Sequence, residues 1–215
     1  MRLIADGRVL VNGFPVTNPA SLVARTDSIR VAEPPALRGS AKLRAALERF
    51  AVDPAGRVAL DLGAAAGGFT TVLLERGAAR VYAVDAGHGQ LLGSLRADPR
   101  VVNLEGTNLG ELTRGLVPEP VDLVAVDLSY LSLADALPQL DGIDLHTHAD
   151  LVALVKPQFE LALARPPRRA HELRAALQRA AAGAGAAGWL VRGTMLSPVR
   201  GARGSIEFLL HARRA

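Results

Sequence analysis

The chain has 215 residues, 49% of them hydrophobic, enough for one α/β domain and a small appendage. It contains no cysteine, which excludes a disulfide framework, a cysteine nucleophile and a cysteine-ligated metal, and no apolar run nears the ~20 residues of a membrane span, so a soluble, cytoplasmic protein is expected. The net charge of +4 suits a phosphate-bearing partner, and it is carried by 23 arginines and only two lysines, Lys42 and Lys156.

In so arginine-biased a chain a lysine is informative, because only an ammonium acts as a compact charge that can lose its proton near neutral pH. Residues 1–32 interleave short apolar runs (Val9-Leu10-Val11, Ser28-Ile-Arg-Val31) with the turn signals Asn12-Gly13 and Asn18-Pro19. They predict a small β element preceded by the tail of a helix, Arg2 to Asp6, closed by Gly7. A hairpin packed on the main domain would satisfy this pattern. The run LIADGRVLVNG also resembles the closing half of the alpha-L-type RNA-binding domain, whose two basic opening helices have no counterpart here. Glu33-Pro34-Pro35 predicts a stiff linker over 33–39, leaving 40–215 as the main domain. There, Ser40 is the expected N-cap of a helix carrying Leu43, Ala46, Leu47 and Phe50. That puts Lys42 in the first turn, against the helix dipole.

The chain is organised around Val58 to Thr70, VALDLGAAAGGFT. An apolar run ends in Asp61, a turn of glycine and alanine follows, and a helical pattern begins at Phe69. Such a turn lets a ligand approach the backbone and aims the free N–H groups of a helix start at it. A second run, Arg80 to Asp85, ends in an acid about 20 residues on, where a carboxylate can bond both hydroxyls of a ribose. The spacing D-x-G-x-x-x-G-G, with Asp61, Gly63, Gly67 and Gly68, departs from the G-x-G-x-x-G of dinucleotide dehydrogenases and resembles the first motif of S-adenosylmethionine-dependent methyltransferases.

Gly87 to Leu95 reads as a further helix and Val101 to Leu104 as a third strand. Thr107-Asn108 follows, where Asn108 either bonds an adenine edge or caps a helix. Val121 to Asp127 and Asp150 to Lys156 are buried-strand patterns ending in an acid and a lysine. Parallel sheets gather their sites at the strands' carboxyl ends, and four strands here end there in Asp61, Asp85, Asp127 and Lys156. His146 and His148 read as a solvent-exposed loop pair, not as metal ligands. Arg165-Pro-Pro-Arg168-Arg169 is a basic loop and Ala170 to about Gly183 a helix. Trp189 to Leu196 and Ser205 to His211 close the chain as a hairpin, with Glu207 the one charge inside the last strand.

With LDLGAAAGGFT, ARVYAVDAGHGQL, DLVAVDLSYLSL, LVKPQFE and GSIEFLL in place, nearly the whole chain resembles the haemolysin-A-type family of ribosomal RNA 2′-O-methyltransferases, which have an FtsJ-like catalytic domain. The resemblance implies an α/β fold of the Rossmann-like class I methyltransferase type: a mostly parallel seven-stranded sheet with an antiparallel C-terminal strand, plus the small N-terminal β appendage. It implies S-adenosyl-L-methionine as cofactor, near Asp61, Gly63, Ala64, Gly67, Gly68, Phe69, Asp85, Asn108 and Asp127. It implies ribosomal RNA as partner, no membrane and no metal.

The family's Lys–Asp–Lys–Glu tetrad falls on Lys42, Asp127, Lys156 and Glu207, so both lysines of the chain belong to it. A lysine desolvated beside another cation can take or share the proton of a ribose hydroxyl. The expectation gives that role to Lys156, tuned by Asp127, with Lys42 and Glu207 orienting it and the ribose. Two departures bear on RNA binding: Leu37-Arg38-Gly39-Ser40 replaces the family's Ser-Arg-Gly-Gly, and the loop after Glu160 lacks the usual glycines. The competing expectation is a non-catalytic RNA-binding or ribosome-associated protein with a relic site. Membrane lysis rests on the family's historical name alone.

Overall fold

The computed structural model of the protein describes residues 2–32 and 37–215. Residues 33–36 of the expected 33–39 linker lie outside the described residues, and Arg38-Gly39, at its other end, are already helical. At the N-terminus a single helical turn, α1 (Arg2–Ala5), leads into three short antiparallel strands, β1 (Val9–Val11), β2 (Phe14–Val16) and β3 (Ile29–Val31), ordered β2-β1-β3. The Asn12-Gly13 turn joins the first pair, both residues having positive φ as such a hairpin requires.

The main domain adds α2 (Arg38–Phe50), β4 (Val58–Leu62), α3 (Gly68–Glu75), β5 (Arg80–Asp85), α4 (Gly93–Arg96), β6 (Val101–Glu105) and β7 (Val121–Val126). It continues through α5 (Leu133–Ala136), β8 (Leu145–Val155), α6 (Pro157–Glu160), α7 (Ala170–Ala186), β9 (Trp189–Leu196) and β10 (Phe208–Arg214). Seven strands form one sheet, β6-β5-β4-β7-β8-β10-β9, in which only β10 runs against its neighbours. That is the mostly parallel sheet with a reversed C-terminal strand that the family resemblance implied. The order reverses direction at β4, and the crevice at that switch is where doubly wound folds put their ligands.

Alternation along the strands divides the core between two faces. Leu60, Leu62, Val124 and Val126 point towards the α5 and α7 side. Ala59, Ala83, Leu123 and Ala125 point towards α2 and α3. Small alanines on the second face let the two helices lie close to the sheet. On the first face, a side chain at Gly183 of α7 would meet the α5 backbone at Ala134 at 2.7 Å, so a glycine sets how closely those helices pack. Asp6 joins the N-terminal unit to the main domain by accepting the Ser94 N–H at 2.7 Å, while Ala5 packs on Gly93. No helix among the described residues is long and apolar enough to cross a membrane.

Four local expectations are corrected. Residues 87–92 are not helical: the Asp85 carboxylate takes the Gly87 N–H, and Glu105 takes those of Gln90 and Leu91, so side chains replace the bonds a helix would have made. Ser40 does not cap α2, which starts at Arg38; its hydroxyl donates to the Gly68 carbonyl at 2.9 Å, and Lys42 falls in the second turn. His146 and His148 lie in the exposed start of β8, which is 11 residues long, and not in a loop. Glu207 sits one residue before β10, although its carbonyl still accepts the Ser197 N–H at 2.9 Å.

Candidate active site

The site is set by the turn between β4 and α3. Gly63 has φ +88°, and a Cβ there would lie 2.5 Å from the Asp127 carbonyl oxygen and 3.0 Å from its carbon. Only a glycine lets the two strand ends approach this closely. The contact is held by the Asp127 N–H donating to the Leu62 carbonyl at 2.9 Å. Gly68 plays the same part against α2: a Cβ there would meet Gly39 Cα at 3.2 Å, so the starts of α2 and α3 touch backbone to backbone. This crossing, with the Ser40 bond, turns the buried face of α2 and its Lys42 towards the carboxyl ends of the strands.

Lys42 is buried and its Nζ donates to Glu207 Oε2 at 2.6 Å, with side-chain exposures of 7% and 5%. Lys156, at the end of β8, places Nζ 2.6 Å from Asp127 Oδ1 and donates to Ser129 Oγ at 2.7 Å. The two ion pairs line one cavity of about 490 Å³, with Ser129 and Phe159 on its walls. Gly201 backs Glu207: a Cβ at Gly201 would fall 1.8 Å from Glu207 Oε1, so the carboxylate rests directly on the glycine. Residues from four separate segments thus converge on one space.

Two smaller cavities adjoin the first. One, of about 230 Å³, is lined by Asp85, Gln90, Thr107, Leu109 and Tyr130. The other, of about 260 Å³, is lined by Gly39, Ala64, Gly68 and Phe69. Gly63, Ala65 and Asp127 line all three. Asp85 accepts the Ala65 N–H at 2.8 Å and the Gly87 N–H at 2.7 Å, one on each oxygen, and a carboxylate so engaged still has lone pairs for a diol. Burial and the nearby Asp85 charge push the Tyr130 phenol above its ordinary range.

Three of the expected cofactor residues do not line these cavities. Asp61 is fully buried, with Oδ2 accepting the Thr70 hydroxyl at 2.6 Å. Burial pushes its carboxyl up to about 7 against the Thr70 bond, with the Asp127 charge acting in the same direction as burial. It fixes the start of α3 from behind the turn. Gly67 packs away from the cavities: its φ is +94°, and a Cβ would lie 2.1 Å from Leu95 Cδ1. Asn108 is exposed at the head of a 3₁₀ turn, and Glu111 reaches back to its N–H at 2.7 Å. The Asn108 side chain donates from Nδ2 to Glu111 Oε2 at 3.3 Å and lines none of the three cavities, whereas its neighbours Thr107 and Leu109 line one of them.

Among the residues lining these cavities, Ser129, Gln90 and Tyr130 were not singled out by the sequence, whereas Thr107 was named with Asn108. Ser129 carried a usable signal, two residues past the strand-ending Asp127. Glu160, the last residue of the KPQFE segment, is 2% exposed and accepts the Leu133 N–H at 3.0 Å. Burial pushes its carboxyl up to about 7, opposed by the Leu133 bond.

The family model for FtsJ-like methyltransferase matches residues 36–214. The 16S/23S rRNA (cytidine-2′-O)-methyltransferase TlyA of Mycobacterium tuberculosis is 45% identical to this chain over 228 residues, covering 98% of this chain and 82% of that protein. Hemolysin A of Brachyspira hyodysenteriae is 35% identical over 97% of this chain and 90% of its own. A crystal structure from Lactococcus lactis that carries the name hemolysin superposes with a TM-score of 0.78 at 34% identity, over 83% of this chain and 88% of that one.

Proposed function

The chain belongs to the FtsJ-like methyltransferase family, and from that membership we propose that it transfers a methyl group from S-adenosyl-L-methionine to a ribose 2′-hydroxyl of ribosomal RNA. The observation that carries this reading is the convergence of Lys42, Asp127, Lys156 and Glu207 on one cavity that opens onto the glycine turn. A relic site would have no reason to keep two close ion pairs and the Gly63 contact together.

The residues present fit the cofactor. Asp85 suits its ribose hydroxyls, Thr107 and Leu109 its base, and Ala64, Gly68 and Phe69 its amino-acid end, while shared walls let one elongated molecule run through both smaller cavities. When bound, the cofactor supplies an electrophilic methyl on a sulfonium.

The chain's own work is to hold the hydroxyl and deal with its proton. Around Lys156 Nζ, Asp127 and Ser129 occupy two positions and the third faces the cavity. Once its ammonium has released a proton, Lys156 would have a lone pair for the hydroxyl and would take that hydroxyl's proton. Lys42 and Glu207, locked together and seated on Gly201, orient the ribose. Positioning of this kind supplies much of the acceleration, because a weak nucleophile is held in line without further ordering. Residues 1–32 serve as a partial RNA-binding domain, and work on ribosomal RNA puts the protein in the cytoplasm.

Isothermal titration with S-adenosyl-L-methionine followed by tritium transfer to ribosomal RNA tests the reading. Lys156→Ala is expected to keep cofactor binding while transfer falls by a factor on the order of 10². Absence of binding at about millimolar cofactor, or undiminished transfer by Lys156→Ala, rejects it.

A further inference from the structure

Beside the tetrad cavity lies a larger cleft, about 700 Å³, whose chemistry the methyl-transfer reading leaves unused. It is made by two loops, one after α6 and one between β9 and β10. The first brings Arg165 and Arg168 around the stiff Pro166-Pro167 pair. The second brings Arg200 and Arg203, the latter held at φ 55° in the turn before Ser205. All four arginines are exposed, and no carboxylate lines the cleft. Among the described residues none of the four stands in an ion pair, whereas Arg44, Arg57, Arg76, Arg80, Arg100 and Arg114 each have an acidic partner.

Like charges gathered without counter-charge repel one another unless a polyanion joins them. Guanidinium groups bind phosphate oxygens in pairs and stay charged at every working pH. The cleft is also continuous with the reaction cavity: Pro166, Arg203, Ser205 and Ile206 line both. A strand whose ribose entered the tetrad cavity would run its backbone along these arginines.

We propose that this cleft is the seat of the phosphates flanking the reacting nucleotide, with Arg203 on the nearest one and Arg165, Arg168 and Arg200 on those beyond. The proposal rests on the RNA reading of the site and adds to it the residues that set the strand's register. Phosphate contacts fix register without reading sequence, so the cleft decides how firmly RNA is held and not which base is chosen.

The test compares the wild-type protein, Arg165→Ala/Arg168→Ala/Arg200→Ala, and a control, Arg174→Ala/Arg192→Ala, whose exposed arginines do not line the cleft. Fluorescence anisotropy with a labelled single-stranded RNA oligonucleotide is read across a salt series, alongside cofactor titration and tritium transfer. The triple variant is expected to bind RNA roughly tenfold or more weakly at about 0.1 M salt, with the log–log salt slope flattened by about 2. Its KM for RNA should rise far more than its kcat falls, and its cofactor affinity should stay at the wild-type value. A triple variant with the wild-type slope, or one no weaker than the control, overturns the proposal. If the cleft variant loses RNA binding and the wild-type protein methylates no ribosomal RNA, the cleft stands and the methyl-transfer reading is what fails.

Discussion

Replacing Gly63 by alanine isolates the contact on which the site depends. Two costs are built into the position. Its φ of +88° is disfavoured for an L residue by about 1–2 kcal/mol. Its new Cβ would also stand 2.5 Å from the Asp127 carbonyl oxygen. That oxygen belongs to backbone tied into the β4–β7 pairing, where Leu62 is opposite Val126, so it cannot swing aside as a side chain would. Overpacking of this kind adds roughly 1–3 kcal/mol. Gly56 supplies the comparison, because it has a φ of +72° but nothing within 4 Å of its Cβ. Gly56→Ala should therefore show the conformational cost alone, and Gly63→Ala that cost plus the clash, a gap of about 1–3 kcal/mol. Urea denaturation of both variants under one buffer measures the gap. Relief of the clash must part the ends of β4 and β7, which carry the walls common to all three cavities, so S-adenosyl-L-methionine affinity should fall by about tenfold or more in Gly63→Ala and stay unchanged in Gly56→Ala. Equal destabilisation by the two substitutions would refute the geometric argument. A gap of the expected size with cofactor affinity preserved within about twofold would refute the cofactor assignment instead.

Gly201→Ala addresses the tetrad without touching a charged group: φ is −74°, so alanine suits the backbone, and the added carbon displaces the Glu207 carboxylate from Lys42. Methyl transfer should fall by about tenfold or more while cofactor affinity holds, and an unaltered rate would remove Glu207 from the mechanism. The buried carboxyls give a pH signature with a definite sign. Asp61 and Glu160 are both raised to about 7 in the folded protein, so between the ordinary carboxylate range and about 7 the folded state keeps protons that the unfolded chain has released. Their contribution to stability is greatest in acid and is lost as pH rises through that window, by up to about 1 kcal/mol per pH unit for each group. Asp61→Asn still accepts the Thr70 hydroxyl and cannot ionise, so its stability relative to wild type should climb from ~pH 5 to ~pH 8 in urea melts. A constant difference across that range would mean that Asp61 is ionised throughout.

Strand ends were legible in the sequence because an apolar run broken by one charge can hardly be anything else: Asp85, Asp127 and Lys156 stand where the parallel sheet puts them. The glycine spacing was legible for a similar reason, since closely approaching backbones tolerate few residue types. Partners supplied from a distance were not. Residues 87–92 read as a helix, but Asp85 and Glu105 take up their N–H groups. Ser40 read as a cap, but its hydroxyl serves the crossing with α3. Gly201 carries no local signal, because its importance lies in a carboxylate six residues later that folds back onto it.

The same geometry determines which roles can be separated by experiment. Asp127 faces the tetrad cavity and both smaller cavities, and it is held by the Gly63 contact, so any change there disturbs cofactor binding and the setting of Lys156 together. Lys42 and Glu207 line the tetrad cavity but neither of the other two, and Glu207 is seated from behind by Gly201. The orienting pair is thus the half of the tetrad that can be perturbed while the cofactor site is left whole. That separation is why a methyl carried by residue 201 says more about the chemistry than removal of the aspartate would.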